Sequence, residues 1–451
     1  MKWPADFLLR MQQYFGADYD NFLNGLSESA PVSIRMNTKK AIQPFENSSS
    51  IPWSNHGYYL DQRPSFTLDP LFHAGCYYVQ EAASQFLEQL FTLAISENSN
   101  PLVLDMCAAP GGKSTHLLSI LDGNGLLVSN EIISSRNKVL QQNIAKWGFV
   151  NAIVTQNDAS DFAKIGELFD VIVVDAPCSG EGLFRRDPDA ANEWNEAAVL
   201  HCSTRQTDIL QNLNHVLKSG GYLIYSTCTF EPSENELQIR KLISEGNYEL
   251  CNSINPGNGI NKSEFGYHFY PHTTKSEGLF ISMLRKKEEG ASPRIKSEQV
   301  KNSDKQSIAT LNEYFENPDK LVPIVKDDRL YAIPINYFSL FQFLSNKLFI
   351  RQAGVFVGNK KEKNFIPSEE LALTNDLRQD LPKVEVDLEI ALDYLRCENI
   401  TLPGIDIGWT LITYKNFVLG WVKVLDRRVN NYYPKEWRVL LRGGKEGKGQ
   451  K

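Results

Sequence analysis

The sequence predicts an α/β fold built on an open parallel sheet, with a smaller α+β unit on either side. Between about residues 100 and 284, short apolar runs alternate with segments of helical periodicity. Runs such as LVLDM (102–106), VIVVD (171–175) and YLIYS (222–226) are typical of buried strands. Strands and helices that alternate in this way form a doubly wound parallel sheet. A last run, LFISMLRK (279–286), follows FYPH closely, so we predict an antiparallel strand that closes the sheet.

Composition divides the 451-residue chain into four parts. Residues 285–306 (RKKEEGASPRIKSEQVKNSDKQ) form the one long stretch without apolar periodicity, which predicts an interdomain linker. The resulting parts are an N-terminal α+β unit (1–99), the α/β domain (100–286), the linker (287–308) and a C-terminal α+β region (309–451). In the outer parts we predict strands at 33–37, 354–358, 409–414 and 417–424, and helices at 80–93, 371–380 and 387–396.

The charge of the chain is uneven. A net charge of −7 and a pI near 5.7 argue against a nucleic-acid binder, because phosphate affinity comes from clustered Lys and Arg. Residues 415–451, however, hold ten Lys or Arg against three acidic residues, interleaved with Trp421, Tyr432, Tyr433 and Trp437. Cations mixed with aromatic rings are typical of an RNA-facing surface. A solvated surface followed by a Gly/Lys tail explains the same charges equally well.

Seven widely spaced cysteines, none in a C-x-x-C pair, predict a reduced cytoplasmic protein without a disulfide framework. No signal-peptide pattern opens the chain, and no apolar stretch approaches the roughly 18 residues of a membrane span. His268 and His272 are four residues apart, but Pro271 interrupts the helix that a metal site with this spacing requires. We therefore expect no metal and no membrane association, and a monomer is the default expectation.

Two cysteines follow the ends of predicted strands: Cys178 in DAPCSG and Cys228 in STCT. Ligands of open α/β sheets bind beyond the carboxyl ends of the strands, so we expect both thiols to face one cleft. Free cysteines are most often inert core residues. Small and polar neighbours in a predicted turn argue against that role here, and the pair indicates an enzyme with two active-site thiols.

A glycine loop, CAAPGGKS (107–114), connects the first strand of the α/β domain to its helix. Glycines let a ligand approach the bare backbone, and a helix N-terminus favours polar or anionic groups. A phosphate-binding P-loop needs a glycine five positions before Gly112, where this chain has Cys107. The loop also lacks the G-x-G-x-x-G pattern of dinucleotide sites, so glycine spacing alone leaves the cofactor open.

Acidic residues at successive strand ends narrow the choice of cofactor. Glu131 ends the second strand, where a carboxylate accepts hydrogen bonds from ribose hydroxyls, and Asp158 ends the third, within reach of an adenine amino group. Asp175 ends the fourth strand. Each of them alone is equally well explained as a helix cap or turn residue. Together, with no phosphate-binding lysine in place, they favour a nucleoside cofactor without phosphates, S-adenosylmethionine.

Three strings carry a resemblance to a known family: LDMCAAPGGKST (104–115), DAPCSGEGLFRRDPDA (175–190) and YSTCTFEPSENE (225–236). They are similar to the signature motifs of the Sun-type (Nol/Nop/Sun) RNA cytosine-5 methyltransferases, and most similar to the bacterial RsmF-like ribosomal RNA methyltransferases. The likeness includes SIRMN, YVQEAASQ and GLFISML and spans about residues 30–285. A weaker match at GVFVG and NNYYPKEWR resembles the RNA-binding region appended in that group.

The resemblance implies a Rossmann-like methyltransferase sheet between two RNA-binding parts, an N-terminal unit and a PUA-like C-terminal region. The implied reaction is methylation of cytosine carbon 5 in ribosomal RNA of the small subunit, 16S rRNA, with that RNA or subunit as the partner. Cys228 is the implied nucleophile and Cys178 the thiol that helps release product, a choice that chemistry alone leaves open. The implied cofactor residues are Cys107, Ala108, Ala109, Pro110, Gly111, Gly112, Lys113, Glu131, Asp158 and Asp175.

The chemistry explains why these residue types are needed. Carbon 5 of cytosine is a poor nucleophile, so a thiolate must first add to carbon 6, and cysteine is suited to that addition and to leaving later. Asp175 is our candidate for the group that assists at the ring nitrogen or amine. Arg185 and Arg186, in the loop after Gly182, are placed to hold flanking phosphates, as are Arg427 and Arg428 in the basic region.

Two other functions stay open at this point. One is a ribosome-assembly or RNA-binding factor that keeps the fold without catalysis, against which the intact thiols and acids argue. The other is a nucleotide hydrolase that uses the Gly-Gly-Lys-Ser loop, against which the missing first glycine argues.

Overall fold

The computed structural model describes residues 3–43, 45–287, 293, 295, 304–361 and 364–441. Within these residues, a ten-stranded mixed sheet forms the centre of the molecule. One four-stranded sheet precedes it in the chain, and two others are formed by the C-terminal region. No helix in the described ranges combines the length and the apolarity that a membrane crossing requires.

The N-terminal unit contains a small antiparallel sheet, with two helices before it in the chain, one within it and one after it. Its strand order is β2-β3-β1-β4, and β1 confirms the strand predicted at 33–37. The helix predicted from residue 80 starts later, at a 3₁₀ turn (Ala83–Phe86), because the Gln80 carbonyl bonds the Ser33 hydroxyl and the Glu81 carboxylate caps Ser84 N. The elements are α1 (Ala5–Phe15), α2 (Tyr19–Ser27), β1 (Val32–Met36), β2 (Ser49–Ser50), β3 (Gly57–Leu60), α3 (Pro70–His73), β4 (Tyr77–Val79) and α4 (Leu87–Ala94).

The central sheet confirms the predicted doubly wound fold. Strands β7-β6-β5-β8-β9 are parallel, and β13 runs antiparallel beside β9. The elements are β5 (Leu102–Asp105), α5 (Gly112–Leu121), β6 (Leu126–Asn130), α6 (Ser134–Trp147), β7 (Ala152–Thr155), α7 (Ala159–Ala163), β8 (Phe169–Asp175), α8 (Pro188–Glu193), α9 (Glu196–Leu213), β9 (Leu217–Thr227), α10 (Glu236–Ser244), β10 (Tyr248–Leu250), β11 (Asn261–Lys262), β12 (Tyr267–Phe269) and β13 (Leu279–Lys286).

Both faces of this sheet are covered, which explains why its strands read as continuous apolar runs. Alternate side chains of one strand enter different cores: Leu104 packs in one cluster and its neighbour Val103 in the other. In the same way Val128 and Leu127 of β6 point to opposite faces. In the parallel strands, polar residues are therefore concentrated at the strand ends, where the site forms.

The C-terminal region forms two further sheets, ordered β14-β15-β17-β18 and β19-β20-β21-β22. The strand predictions at 354–358, 409–414 and 417–424 and the helix at 387–396 are confirmed. The helix predicted at 371–380 is wrong beyond Leu373, because Asn375 N bonds the Gly148 carbonyl and Leu377 bridges Phe315. The elements are α11 (Lys305–Tyr314), β14 (Leu321–Lys326), β15 (Arg329–Pro334), α12 (Phe338–Ser345), β16 (Ile350–Ala353), β17 (Val355–Lys361), β18 (Asn364–Pro367), α13 (Glu369–Leu373), β19 (Lys383–Glu385), α14 (Leu388–Leu395), β20 (Gly408–Tyr414), β21 (Phe417–Leu425) and β22 (Arg428–Asn431).

One strand of the C-terminal region joins the central sheet. β16 pairs antiparallel with the edge strand β7, with Ile350 opposite Thr155 and Ala353 opposite Ile153. The predicted linker at 287–308 lies mostly outside the described residues, and the four-part division of the chain stays a prediction. The pairing of β16 means that residues assigned to the C-terminal region also extend the sheet that holds the site.

A single lysine connects three parts of the chain. Lys40 Nζ donates to the carbonyls of Ala74 (2.9 Å), Lys146 (2.7 Å) and Leu373 (2.8 Å). These carbonyls belong to the N-terminal unit, the end of α6 and the end of α13. Burial lowers the pKa of Lys40 to about 8, so the ammonium is held against a desolvation cost by its three acceptors.

We predict that Lys40→Met lowers the free energy of unfolding by about 3 kcal/mol, because three carbonyls lose a charged donor. Lys39→Met is the matched control: its ion pair with Asp122 (2.7 Å) is exposed, and such pairs contribute about 0–1 kcal/mol. Urea unfolding followed by circular dichroism measures both. Equal losses in the two variants would contradict the role of Lys40.

Candidate active site

A cavity of about 660 Å³ lies at the carboxyl ends of β5 to β9. Each of these five strands contributes residues to its wall, as expected for a doubly wound sheet. Of the glycine loop at 107–113, Cys107 and Ala109 line the cavity, whereas the other loop residues do not. The lining residues that follow the strand ends are Met106, Cys107, Asn130, Glu131, Asn157, Asp158, Asp175, Ala176, Pro177, Cys178 and Cys228.

The two thiols meet in this cavity. The sulfur atoms of Cys178 and Cys228 are 3.2 Å apart, and both cysteines are free. Their proximity follows from the pairing of β8 with β9, in which Asp175 lies opposite Ser226, so the two loops leave the sheet side by side. The structure thus brings together the two cysteines that the sequence places at the ends of different strands.

The two thiols share a hydrogen bond in which either sulfur can be the donor. The hydrogen bond to Cys228, followed by burial, raises the pKa of the Cys178 thiol well above its ordinary range. A thiolate at either position would accept a hydrogen bond from the other thiol, so the contact favours one thiolate within the pair.

Buried polar contacts fix the loop that carries Cys178. Glu234 Oε2 accepts hydrogen bonds from Ser179 N (3.0 Å) and Gln206 Nε2 (2.8 Å). The hydroxyls of Ser179 and Thr229 are 2.8 Å apart, which ties this loop to the one that carries Cys228. Burial raises the pKa of Glu234 to about 7. Glu234 was not predicted as a site residue, although its place in the string YSTCTFEPSENE is a signal that could have identified it.

Gly182 brings the two loops into close contact. Its amide donates to the Cys228 carbonyl at 2.9 Å. A Cβ at this position would lie 2.9 Å from the Gly278 carbonyl oxygen and 3.1 Å from that of Cys228, so a side chain would push the loops apart. The glycine is required here by close approach, and it helps to fix the backbone of the nucleophile candidate.

Arg10 and Glu181 were missed by the sequence reasoning. The Arg10 guanidinium on α1 forms ion pairs with Glu181 and Glu231, one from each loop. Glu181 is fully buried and also accepts from Phe230 N (3.0 Å) and Trp194 Nε1 (3.0 Å). The N-terminal helix therefore stabilises the thiol loops, although no local pattern indicates a contact between residues so distant in sequence.

Two donors bind the same oxygen of Asp175 and so orient its carboxylate. Lys113 Nζ lies 2.8 Å and Ser226 Oγ 2.9 Å from Asp175 Oδ1. Oδ2 has no hydrogen bond to the described residues, and the side chain is 40 % exposed. One oxygen is thus held by the protein while the other is available to a ligand. The buried Lys113 pairs with Asp175 and does not line the cavity, which argues further against a phosphate loop.

Two other acids predicted to hold the cofactor, Glu131 and Asp158, also line the cavity. Glu131 is buried, and its carboxylate accepts from Ile133 N (2.8 Å) and lies 3.6 Å from Arg136. Asp158 Oδ1 caps α7 by accepting from Ser160 N (3.0 Å). Both carboxylates therefore have local structural partners as well as a place on the cavity wall.

The cavity fits an adenosyl sulfonium ligand. Its volume is in the range of small-molecule sites, and carboxylates at the ends of β6, β7 and β8 supply acceptors for ribose and adenine. Ile132, Ala159 and Ile209 add apolar wall for a flat base. At the loop, Gly111 adopts φ +112° at the start of α5, a conformation that L side chains rarely adopt.

The four predicted RNA contacts differ in their surroundings. Arg185 is buried and donates to the carbonyls of Ser276 (2.5 Å), Ser29 (2.9 Å) and Glu28 (3.3 Å), which is a structural arrangement. The Arg186 side chain is 51 % exposed and 3.4 Å from Glu277. Arg427 and Arg428 are exposed at the turn between β21 and β22, and the RNA roles of all four stay predictions. Arg442, Lys445, Lys448 and Lys451 lie outside the described residues.

The two histidines at 268 and 272 are paired with carboxylates. His268 Nε2 is 3.0 Å from Glu236 Oε1, and His272 Nε2 is 2.9 Å from Asp18 Oδ2. Within the described ranges, no group of three or more His, Cys, Asp or Glu side chains is arranged to hold a metal ion.

Family comparisons cover most of the chain. The 16S rRNA methyltransferase RsmB/F family matches residues 90–285. The N-terminal domain of 16S rRNA methyltransferase RsmF matches residues 3–82, and the RsmF PUA domain matches residues 381–439.

Relatives match along almost their whole length. Ribosomal RNA small subunit methyltransferase F of Shewanella loihica is 31 % identical over 450 residues, which cover 92 % of this chain and 91 % of that protein. The protein of the same name from Aliivibrio salmonicida is 28 % identical over 474 residues, with 98 % of each chain covered.

Solved structures agree with the fold. A methyltransferase homologue from Pyrococcus horikoshii superimposes with a TM-score of 0.52 and 27 % identity, covering 62 % of this chain and 98 % of that one. NSun6 from Pyrococcus horikoshii, crystallised with SFG, gives a TM-score of 0.53 at 22 % identity and covers 63 % and 99 % of the two chains.

The Rossmann-like sheet and the cavity at its carboxyl edge define a methyltransferase that uses S-adenosylmethionine. With the three motifs and the near full-length relatives, the chain belongs to the RsmB/F family of 16S rRNA methyltransferases. The family, fold class, enzyme class and cofactor expected from the sequence are thereby confirmed.

The buried carboxyl of Glu234 should make the stability of the protein depend on pH. Its pKa rises from 4.5 to about 7 on folding, so between these values the folded protein binds a proton that the unfolded chain does not. Stability contributed at this site therefore falls as pH rises through that window. Glu234→Gln keeps an acceptor oxygen for Ser179 and Gln206 but cannot ionise. When the pH rises from 5 to 8, we expect the free energy of unfolding of the wild type to fall by on the order of 2 kcal/mol more than that of this variant.

Urea unfolding at the two pH values measures this difference, and Glu193→Gln, at an exposed position, is the control. Parallel stability curves for the wild type and Glu234→Gln would show that the carboxyl does not titrate on folding as described.

Proposed function

We propose that the protein transfers a methyl group from S-adenosylmethionine to carbon 5 of a cytosine in 16S rRNA, through a covalent bond between Cys228 and carbon 6. The observation that carries this proposal is the pair of free thiols, 3.2 Å apart, in the same cavity as the strand-end carboxylates. Bound S-adenosylmethionine supplies an electrophilic methyl group. Everything else in the reaction depends on groups of this chain.

The first step is addition of the Cys228 thiolate to carbon 6, which moves an electron pair into the ring and makes carbon 5 nucleophilic. The negative charge that develops on the ring nitrogen must be met by a proton or a hydrogen bond. A proton from water meets that charge. The Asp175 oxygen that faces the cavity can accept a hydrogen bond from the exocyclic amine and so hold the ring, because Lys113 and Ser226 fix the other oxygen. Carbon 5 then accepts the methyl group.

Release requires loss of the proton on carbon 5. The electron pair of that C–H bond re-forms the ring double bond and expels the Cys228 thiolate. The hydrogen bond to Cys228 is the largest cause of the raised pKa of Cys178. Bonding of Cys228 to carbon 6 removes this cause and leaves burial as the next one. Cys178 then passes its own proton to solvent, and the resulting thiolate is the proposed base that takes the proton from carbon 5.

The substrate base must be unpaired or flipped out to reach the thiols, because carbons 5 and 6 are inaccessible in a stacked helix. Arg186, Arg427 and Arg428 are exposed and are proposed RNA contacts. Arg185 is proposed to stabilise the loop that carries Arg186, through its hydrogen bonds to the carbonyls of Ser276 and Ser29. We also propose that residues 1–99 and 309–451 bind RNA on either side of a catalytic domain at 100–286, in a cytoplasmic monomer.

Family membership and the intact thiol pair favour catalysis over a purely physical assembly factor. The nucleotide-hydrolase alternative loses support, because the lysine it needs is buried against Asp175.

Two cysteine variants separate the proposed roles. Cys228→Ala should reduce methyl transfer to RNA by about a thousandfold or more while S-adenosylmethionine still binds. Cys178→Ala should form the adduct but fail to resolve it, so a protein–RNA complex that survives denaturing electrophoresis accumulates. Tritium transfer from labelled S-adenosylmethionine and isothermal titration measure activity and cofactor binding.

Cys251→Ala, at a cysteine that does not line the cavity, is the control and should behave like the wild type. An active Cys228 variant together with a Cys178 variant that forms no adduct would reverse the two assignments.

A further inference from the structure

A second cavity, of about 270 Å³, lies in the C-terminal region between β14, β15, α12 and β16. We call it the β16 groove. The part of the chain that the structure describes contributes aromatic, apolar and cationic side chains to its wall but no acidic one. The residues used below are Ile324, Lys326, Tyr331, Phe341, Phe349 and Arg351.

The β16 groove shares a wall with the active site. Phe349 N donates to Asn157 Oδ1 (3.0 Å), and the Phe349 carbonyl accepts from Gln156 N (3.0 Å). Asn157 lines the cavity of about 660 Å³ that holds the thiols. The residue at the mouth of the groove is therefore one hydrogen bond away from the cofactor wall.

An aromatic ring is exposed at this position. The Phe349 residue is 56 % exposed, although burying a phenylalanine side chain stabilises a fold by about 1.5–3 kcal/mol. The Arg351 guanidinium lies 5.2 Å from the centre of its ring and 3.3 Å from Ser134 Oγ on α6. Arg351 Nε is buried and has no hydrogen-bond partner among the described residues. An exposed ring with a guanidinium beside it is typical of sites that stack an unpaired nucleotide.

The charge of the groove is complementary to a phosphate. Lys326 is exposed at the end of β14 and forms no ion pair with the described residues. Together with Arg351 it places two positive charges around an apolar floor that includes Ile324, Tyr331 and Phe341. Asp327 and Asp328, in the adjoining turn, lie outside the lining. Two cations around stacking rings are typical of single-stranded RNA sites.

We propose that the β16 groove binds one unpaired nucleotide of the substrate RNA outside the catalytic pocket, with its base stacked on Phe349 and its phosphate held by Lys326 and Arg351. The inference rests on the proposed function, since it names a second contact made by the same RNA. It gives β16 two roles: it completes the edge of the catalytic sheet, and it fixes the RNA beside the cofactor wall.

The test uses the full chain and a short fluorescein-labelled oligocytidylate, with binding followed by fluorescence anisotropy. Phe349→Ala should weaken binding about tenfold, as expected for the loss of one stacked base. Phe349→Trp should restore it, because the indole also stacks. In Lys326→Ala/Arg351→Ala, the slope of log affinity against log salt should become shallower by about 0.7, the value for one single-strand phosphate contact.

Leu93→Ala and Lys241→Ala, at exposed positions that line neither cavity, are the matched controls for ring and charge. Affinity for S-adenosylmethionine, measured by isothermal titration, should be the same in all variants. That readout separates loss of the RNA contact from damage to the shared wall at Asn157.

The inference would be overturned if the groove variants bound oligocytidylate with unchanged affinity and unchanged salt slope. That result would leave the proposed function intact as long as the wild type transferred methyl groups to RNA. Normal oligocytidylate binding combined with weakened binding to small ribosomal subunits would also overturn the inference, since a protein would then be the occupant. If the wild type transferred no methyl group to RNA but the groove variants lost RNA affinity, the proposed function would fail and the groove would stand.

Discussion

The parallel pairing of β8 with β9 is the constraint on which the site depends. Asp175 lies opposite Ser226 in this pair, so the chain leaves both strands at the same level and delivers two cysteines to one point. A one-residue slip of either strand would turn its side chains to the other face of the sheet. The apolar residues of both strands are buried, which makes that slip costly and fixes the sulfur–sulfur contact.

Buried acids hold the loops that the strands position. Glu181 binds both thiol loops and the N-terminal helix through Arg10, and Glu234 accepts from the amide next to Cys178. Unpaired buried carboxylates are costly, so these contacts specify one loop arrangement. The N-terminal unit and β16 stabilise the site from opposite sides, which relates the outer parts of the chain to the chemistry at its centre.

The parts of this structure that depend on local sequence pattern were predicted correctly. Runs such as VIVVD and YLIYS marked the strands, and residues just beyond them, including Cys178 and Cys228, came together because parallel strands share one edge. Long-range contacts were not predictable in this way. The pairing of β16 with β7 depends on tertiary packing, and the helix expected through residue 380 ends at Leu373 because backbone partners elsewhere compete for the chain.

The most direct test of the account uses RNA that contains 5-fluorocytidine, in which fluorine replaces the hydrogen that must leave carbon 5. Incubated with S-adenosylmethionine, the wild-type protein should stop at the methylated adduct. Digestion and mass spectrometry should then find the modified nucleotide, with its added methyl group, on the peptide that contains Cys228. A nucleotide attached to the Cys178 peptide, or no covalent complex despite methyl transfer to normal RNA, would contradict the account.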